Sequence, residues 1–517
     1  MIALKIIKSL YIKCLIGFLC FSSYSRAQDW PKIYGDNFHA TISNIEETYD
    51  HGFILSAYTY TSAGWPLFDW IIKIDINGNV LWEKRFGDGI YSNGVTSSKI
   101  TSDNGLILAA STSKYSGNYD PTFIKLNVCG EIDWCKVFQS PDQNYGTGII
   151  QLSDGSYIGM LQYFGEGETY ARISLVKMDQ NGEPLWIQKQ SQEDSLIYNE
   201  EGANLILISQ GNYLISGSCN HPGWRPYFIL TDTLGLQIWD ILWSSAYGHV
   251  FQTIEPQPGI FYSVGFKIPP GFNNLPAVYK FDENGNQIDE FLILGDTIYQ
   301  GGGGTIISIN DSTILTGLVW GSNNNKEIFN SEVIKIDTLG TLINRRLLLL
   351  DDQAPTDMLL TSDNKILVTG TYFTDGNLDI YLWKMNSNLE DDTIYTQPFT
   401  YDSLCPQQIL SDTVDLDCSL FVNIDEIPTK EEYESTIKIS PNPAGDWIAL
   451  TLPNNVSSGV VQLVIYNIFG QEVMKSSVVP QNRTVSLNVS NLESGFYLAV
   501  CKDTKRKVFM GKFMVAK

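Results

Sequence analysis

Histidine is scarce in this chain, and the familiar catalytic motifs are missing. Only His39, His51, His221 and His249 occur in 517 residues, with no His-x-x-x-His or His-Glu pairing, so a zinc site is not expected. The Gly-x-Ser-x-Gly nucleophile turn is also absent. No long stretch has the 3.6-residue apolar periodicity of an amphipathic helix. The sequence therefore argues against a zinc enzyme, a nucleophile-elbow hydrolase and a helical fold.

Basic residues are outnumbered as well. The 34 Lys and Arg are dispersed among 57 Asp and Glu, which gives a formal net charge of −23. This balance makes nucleic acid or an anionic membrane an unsuitable partner and predicts a solvated acidic surface. Binding of calcium or of a basic partner is compatible with this charge.

What the chain does contain is an internal repeat. A strand, a tight turn that begins with Asp or Asn and contains Gly, and a second strand that usually carries Trp recur about every fifty residues. The copies are Asp75–Trp82, Asn127–Trp134, Asp179–Trp186, Asp232–Trp239, Asp282–Asp289 and Asp337–Asn344. A repeat of this length that holds only strand patterns predicts a β-propeller.

Each unit has a second half, in which a polar turn precedes a short apolar strand. Seven copies can be counted: His51–Ala57, Asp103–Ala109, Asp154–Gly159, Gly211–Gly217, Pro258–Gly265, Asp311–Gly317 and Asp363–Gly370. Gly and Asn supply the positive φ that tight hairpins require. We therefore predict an all-β chain with a seven-bladed propeller over residues 28–400, with six or eight blades as the alternatives.

The two ends of the propeller are predicted to meet. Residues Asp29–Asp36 resemble Leu81–Asp88 at most positions, so the N-terminal segment reads as a displaced outer strand. The seventh unit runs through Asp379–Asn386 and then degenerates. The N-terminal strand is expected to complete that last blade, because closure removes exposed sheet edges.

The repeated Trp has two interpretations. The favoured one is a wedge between adjacent blades whose indole nitrogen bonds to the backbone, and the other is a ring that stacks on a ligand. Positions 289 and 344 hold Asp and Asn instead, so two blades are expected to pack less regularly. The Asp-x-x-Gly-x-x-x-Trp spacing is similar to the docking motif of quinoprotein propellers and related extracellular repeats.

The N-terminus has the pattern of an export signal, predicted to be residues 1–27. Lys5, Lys8 and Lys13 flank or interrupt an apolar stretch, Leu15–Phe21 forms a short core, and cleavage is expected after Ala27. No other segment is a candidate membrane span, so the mature chain is expected to be soluble once exported.

Six of the eight cysteines lie beyond this segment. Cys405 and Cys418 occur in a polar stretch that we interpret as a linker, residues 401–436, and a disulfide between them is predicted. A Cys129–Cys135 bridge within one hairpin is geometrically doubtful. Cys219 and Cys501 are expected to be buried.

Residues 437–517 carry three further motifs. A Pro441-Asn442-Pro443 opening is followed by a strand, turn and strand around Gly470, and then by a strand with Gly495 and Tyr497; the chain ends at Lys517. Alternating apolar and polar positions with glycine-centred turns predict a small antiparallel β-sandwich.

These motifs, in this order, closely resemble the type A C-terminal sorting domain of the type IX secretion system of Bacteroidota. The resemblance implies export through the inner membrane and recognition by the secretion machinery at the outer membrane. Cleavage by its sortase would follow, with attachment to surface lipopolysaccharide or release. The protein is therefore expected to be secreted or anchored at the outer cell surface.

The function of the propeller stays open between two classes. One is a non-catalytic module that binds a glycan or protein through its loops, with Trp65, Tyr115, Trp224 and Trp320 as candidate contacts. The other is an extracellular enzyme, either a polysaccharide hydrolase or lyase or a quinoprotein-like enzyme. No adjacent cysteines support a quinoprotein, and no residues stand out as catalytic. No cofactor is predicted, although the Asp-Ile-Asn-Gly-Asn turn at Asp75 imitates the start of a calcium loop.

Overall fold

The fold is all-β. A computed structural model describes residues 30–517 apart from 62–65, 140–142, 165–169, 191–198, 221–222, 244–246, 270–273, 294–298, 323–329, 349–354, 375, 422–436, 454–455, 457–458, 468–471 and 503–507. The predicted signal peptide, Trp65 and Gly470 lie outside the described residues. Within the described ranges, no helix has the length and apolarity needed to span a membrane.

Within the residues that the structure describes, seven mainly antiparallel sheets form the first unit, and we number these blades 1 to 7. Blade 1 holds β2 (His39–Glu47), β3 (Phe53–Tyr60), β4 (Pro66–Ile74) and β5 (Val80–Phe86); blade 2 holds β6 (Asn93–Ile100), β7 (Leu106–Thr112), β8 (Asp120–Leu126) and β9 (Ile132–Phe138). Blade 3 holds β10 (Tyr145–Gln151), β11 (Tyr157–Tyr163), β12 (Arg172–Met178) and β13 (Pro184–Lys189); blade 4 holds β14 (Glu200–Leu207), β15 (Tyr213–Asn220), β16 (Trp224–Thr231) and β17 (Gln237–Leu242).

The remaining blades follow the same order. Blade 5 holds β18 (Tyr247–Gln257), β19 (Ile260–Ile268), β20 (Leu275–Asp282) and β21 (Gln287–Leu292); blade 6 holds β22 (Tyr299–Asn310), β23 (Thr313–Ser322), β24 (Asn330–Asp337) and β25 (Leu342–Leu347). Blade 7 holds β26 (Asp357–Leu360), β27 (Ile366–Thr374) and β28 (Asn377–Met385), together with β1 (Lys32–Tyr34). The first strand of each blade contacts the first strand of the next, and β26 contacts β2, which closes a ring around a central channel.

The N-terminal strand closes the last blade, as predicted. β1 pairs antiparallel with β28, with Lys32 opposite Leu382. Its Tyr34 hydroxyl also donates a hydrogen bond of 2.8 Å to the carbonyl of Gly78 in blade 1. The ring is thus joined by the two ends of the propeller segment, and β1 covers part of β28 and becomes the short outer edge of blade 7.

The repeated Trp lies between blades, as the favoured interpretation predicted, but the indole nitrogen of Trp82 donates to the carboxylate of Asp402 at 3.2 Å and not to the backbone. Trp134 and Trp239 donate indole hydrogen bonds to the carbonyls of Gln180 and Glu283 in the turn of the following blade, at 3.1 and 3.0 Å. Trp186 packs on Gly235, whose φ of 77° is a conformation that favours glycine. The turn glycine therefore serves two purposes: it allows the tight turn and leaves room for the neighbouring ring.

The turn carboxylates and amides are used within the turns. Oδ1 of Asp75 accepts hydrogen bonds from the backbone N–H groups of Asn77 and Asn79, both at 2.8 Å. Asp179 and Asp232 make the same pair of bonds. This geometry is that of an Asx turn, which explains why Asp or Asn begins every copy of the hairpin.

The predicted linker is in part a component of the propeller. β29 (Asp412–Val414) pairs parallel with the outer edge of β5, and β30 (Ser419–Phe421) pairs parallel with the outer edge of β9. We call residues 401–421 the strap. Residues 422–436 lie outside the described residues.

The predicted Cys405–Cys418 disulfide is wrong. Cys405 is bonded to Cys129 and Cys418 to Cys135, with Cα–Cα distances of 5.6 and 4.6 Å. The reason is that the strap runs along two neighbouring blade edges, which places each of its cysteines beside a different part of the blade 2 hairpin. Cys219 and Cys501 are buried, as expected.

The C-terminal unit is a two-sheet antiparallel sandwich, as predicted. One sheet has the order β31 (Lys438–Ser440), β32 (Trp447–Thr451), β35 (Thr484–Asn488); the other has the order β34 (Glu472–Val478), β33 (Val461–Asn467), β36 (Gly495–Lys502), β37 (Val508–Val515). Leu450, Ile465 and Phe513 belong to the buried cluster between these sheets. The sandwich thus has its own buried core, distinct from the buried clusters of the blades.

Candidate functional site: the central channel

The innermost strands share an irregularity that shapes the channel. In blades 1 to 6 each one has a register shift at the same point of the repeat, where one residue has no partner on the second strand. These residues are Ser43, Thr96, Thr147, Ala203, Phe251 and Gly304, and all six line one cavity. A β-bulge re-aims a side chain, so the repeat itself places a ring of residues toward the channel.

In blades 1, 4 and 5 the side chain of the residue after the bulge bonds to a neighbouring blade, and Asp357 does the same in blade 7. The side-chain oxygen of Asn44 accepts the N–H of Ser98 in the next blade at 2.9 Å. Gln252 accepts the N–H of Ile306 at 2.7 Å. Asn204 and Asp357 make equivalent bonds, to the N–H groups of Thr253 and Ile45. These four side chains form what we call the latch ring, which satisfies backbone donors facing the channel.

Blade 6 leaves space where other blades have side chains. Its innermost strand carries the run Gly301–Gly304, which lines a cavity of about 610 Å³. A Cβ at Gly301 would lie 2.6 Å from the carbonyl oxygen of Val319, and one at Gly303 would lie 2.3 Å from Val264. At Gly302 a Cβ would meet only Phe266, at 3.8 and 4.0 Å. The missing side chain of Gly302 therefore contributes open volume to the channel rather than relieving a clash.

An aromatic cluster stands beside this cavity. On β18, Tyr247, His249 and Phe251 occupy alternate positions, and Tyr247 and Phe251 are 47% and 40% exposed. The ring of His249 lies 5.0 Å from those of Trp224 and Phe266. Phe251 and Phe266 also line the cavity. We call these five residues the aromatic track, because it leads from the start of β18 toward the channel.

The charged groups of the channel have partners. The Lys99 ammonium lies 2.5 Å from the Glu46 carboxylate. The negative charges of Glu46 and Asp357 raise the pKa of Lys99, although its partial burial acts in the opposite direction. Burial raises the pKa of Asp357 to about 6, although the Lys99 ammonium opposes this shift. Asp357 accepts hydrogen bonds from Ile45 and Asn44, so it is held in the latch ring. In the described ranges, no group of three or more His, Cys, Asp or Glu residues could hold a metal ion.

Of the four candidate contacts predicted from sequence, the three that the structure describes do not form one site. The Tyr115 hydroxyl bonds to the carbonyl of Leu416 and the N–H of Cys418, so Tyr115 fastens the strap. Trp320 is buried and donates to Glu332 at 2.7 Å, which makes it a packing residue. Trp224 alone lies at the aromatic track. Trp65 lies outside the described residues.

Sequence reasoning missed the residues that shape the channel. The latch ring and Phe251 are spread over distant strands, and none belongs to a recognisable motif. The run Gly301–Gly304 was visible, since four consecutive glycines are unexpected inside a strand.

The predicted sorting motifs come together in the C-terminal sandwich. In the segment Pro441–Pro443, Oδ1 of Asn442 accepts the backbone N–H of Met514 on the last strand, at 2.9 Å. The backbone N–H of Ala444 then donates to the carbonyl of Met514 at 2.7 Å. The opening motif is thus fastened directly to the end of the chain.

The other motif residues belong to the same end of the sandwich. Gly495 begins β36, and the ring of Tyr497 stacks on Phe513 with centroids 5.6 Å apart. The Lys517 ammonium donates to the carbonyl of Ser490, and its backbone N–H donates to the hydroxyl of Ser494 at 3.1 Å. Motif residues that are far apart in the sequence therefore lie together in the folded sandwich.

Comparison with known proteins identifies the C-terminal unit. Residues 438–516 match the family of secretion system C-terminal sorting domains. No curated protein matches the chain. Similar solved structures include a protein of unknown function from Dyadobacter fermentans (TM-score 0.41, 11% identity, covering 70% of this chain and 98% of that one). They also include the WD40 domain of Toxoplasma gondii coronin (TM-score 0.40, 9% identity, 71% and 88%) and a protein of unknown function from Bacteroides caccae (TM-score 0.32, 13% identity, 50% and 94%).

Proposed function

We propose that this chain, whose sorting domain directs it through type IX secretion to the cell surface or extracellular space, is a non-catalytic binding module. Its propeller takes a ligand into the central channel. The cavity of about 610 Å³ beside Gly302 carries this proposal. The size is within the range of roughly 300–1,000 Å³ that is usual for small-molecule sites. Recognition by a sortase and attachment to surface lipopolysaccharide belong to the same proposal.

The charges favour binding over catalysis. An acid–base enzyme needs a carboxylate or amine directed at the substrate, with a suitable pKa. In the described part of the channel, Lys99 is paired with Glu46, and Asp357 is fixed by Ile45 and Asn44. These groups support the channel wall, which is why we place the enzyme alternative second.

Filling the cavity tests this proposal. Gly302→Leu puts a side chain into open space, so the fold should be retained while the site is blocked. The matched control is Gly445→Leu in the sorting domain, where a Cβ would meet nothing within 4 Å. The full chain and both variants would be screened by thermal shift against neutral oligosaccharides, acidic oligosaccharides and peptides.

A ligand that raises the Tm of the wild type and of Gly445→Leu, but not of Gly302→Leu, supports the channel site. Equal shifts in all three proteins would refute it. Chromogenic glycosides would be included to detect turnover. Turnover abolished by Asp357→Asn would establish the enzyme alternative instead.

A further inference from the structure

We infer that the channel site takes the end of a neutral glycan chain, an inference that rests on the proposed binding function. The starting observation is the aromatic track. Tyr247, His249 and Phe251 alternate along β18 with the buried residues Gly248 and Val250. Alternate residues of a strand point to the same face and are about 6.7 Å apart. This rule applies to Tyr247 and His249, whereas Phe251 occupies the bulge and is placed by its ring, 6.1 Å from that of His249. The three rings together form a row of about 13 Å that ends at the cavity.

The rings offer the surface that a sugar needs. One face of a pyranose presents C–H groups, which pack on the face of an aromatic ring. The rings of His249 and Phe251 are 6.1 Å apart and within 10° of parallel, so they present a common orientation. Burial lowers the pKa of His249, which keeps this ring uncharged at neutral pH. The track is consequently an aromatic row whose middle is uncharged, with the Arg225 guanidinium 4.9 Å from the centroid of the Tyr247 ring at its outer end.

The cavity offers the complementary polar groups. Asn204 and Gln252 use their carbonyl oxygens in the latch ring, and both side chains line the cavity. Within the described ranges, their NH₂ groups have no protein acceptor. Glycines 301–304 have no side chains, so they contribute backbone peptide groups to the cavity wall. Neutral donors and acceptors of this kind match sugar hydroxyls, which both give and accept hydrogen bonds.

The charges of the cavity exclude other ligand classes. Lys99 and Asp357 are the charged residues that line it, and each has an internal partner. An acidic glycan or a peptide end would bring a charge into a site that supplies no free counter-charge in its described part. Burying an unpaired charge is costly, so a neutral chain is favoured.

The test uses the full chain and calorimetric titration with neutral β-linked gluco-, manno- and xylo-oligosaccharides. Acidic oligogalacturonides and a mixed peptide hydrolysate serve as competing classes. Tyr247→Ala and Phe251→Ala each remove an exposed ring of the track. The matched control is Phe373→Ala, because Phe373 is similarly exposed, at 48%, on blade 7.

The expected result is binding of a neutral oligosaccharide, a Kd raised roughly tenfold by each track variant, and no change in the control. Gly302→Leu should abolish binding. A far-UV spectrum and Tm close to wild type confirm that each variant is folded. If Phe251→Ala is unstable, Tyr247→Ala at the outer end of the track still tests whether the track binds the oligosaccharide.

Two outcomes would overturn the inference, and they differ from failure of the proposed function. An acidic oligosaccharide or peptide whose binding is lost in Gly302→Leu would leave the channel site intact but refute a neutral glycan. A neutral oligosaccharide that binds equally well to wild type and both track variants would also refute it. Binding of every ligand unaffected by Gly302→Leu would instead remove the channel function itself.

Discussion

Oδ2 of Asp357 in blade 7 accepts the backbone N–H of Ile45 in blade 1 at 3.0 Å, so the ring is closed at the channel as well as at its rim. At the rim, closure is made by β1 and the bond from Tyr34 to Gly78. The inner bond is one member of the latch ring. Two separate contacts therefore join the first and last blades, which favours a ring that opens cooperatively rather than by fraying at one strand.

Peptide mapping should find the two long-range disulfides. Non-reducing digestion is expected to link Cys129 with Cys405 and Cys135 with Cys418. Each bridge closes a loop of more than 270 residues, as the separations of 276 and 283 show. Loss of either bridge, through Cys405→Ser or Cys418→Ser, should lower the free energy of unfolding by about 2–4 kcal/mol. A peptide joining Cys405 to Cys418 would contradict this arrangement.

Asp69 should make stability fall as pH rises. It is buried on β4, accepts a hydrogen bond from the backbone of Val95, and its Oδ1 has no hydrogen-bond partner in the described part of the chain. Burial raises its pKa to about 8. A raised folded-state pKa means that the stabilisation is complete below the unfolded value near 4 and is lost as pH rises to about 8.

Urea unfolding at several pH values between 4 and 9 measures this effect. The wild type should lose up to about 1.4 kcal/mol per pH unit across the window, relative to Asp69→Asn. Asp311→Asn, at an exposed turn, is the matched control and should follow the wild type. Parallel curves for wild type and Asp69→Asn would show that Asp69 does not titrate in this range.

Removing a Trp between blades should be costly. Trp186 is only 3% exposed and packs on Gly235 of the next blade. Trp186→Ala should lower the free energy of unfolding by about 3–5 kcal/mol, measured by denaturant titration. Trp447→Ala provides the control, since Trp447 is 57% exposed in the sorting domain. Equal losses for the two variants would argue that Trp186 is not a structural wedge.

Deletion of residues 437–517 should stop export while leaving the propeller intact. The sorting domain is what the secretion machinery handles, so the truncated chain should accumulate inside the cell envelope. Cell fractionation and immunoblotting of medium, surface and periplasm would show this. Gly302→Leu should be exported like the wild type, because its change lies in the channel. Surface display of the truncated chain would mean that a second export route exists.

The repeat could be predicted from sequence because each blade follows local rules. The Asp75 turn and the Trp186 wedge recur with fixed spacing, and β1 copies the outer strand around Trp82. The disulfides could not be assigned in this way, because Cys405 and Cys129 meet only through the parallel pairing of the strap. Such pairing leaves no spacing pattern in the sequence.

The channel was equally hidden from sequence reasoning. Its wall combines residues from the innermost strands of all seven blades, and its volume depends on the absent side chain of Gly302. The exposed Phe251 occupies a bulge, whose position follows from strand pairing rather than from residue type. Only the tertiary structure shows that these positions face one another.

The strap also has a mechanical consequence. A pulling force applied to the chain after Phe421 reaches the propeller first at β30, and the Cys135–Cys418 bond transfers it to blade 2. The second bond, at Cys129, holds the strap further upstream. The load is therefore borne as shear by blade 2, to which the strap is covalently bonded twice, and the short pairing between β1 and β28 is not peeled apart.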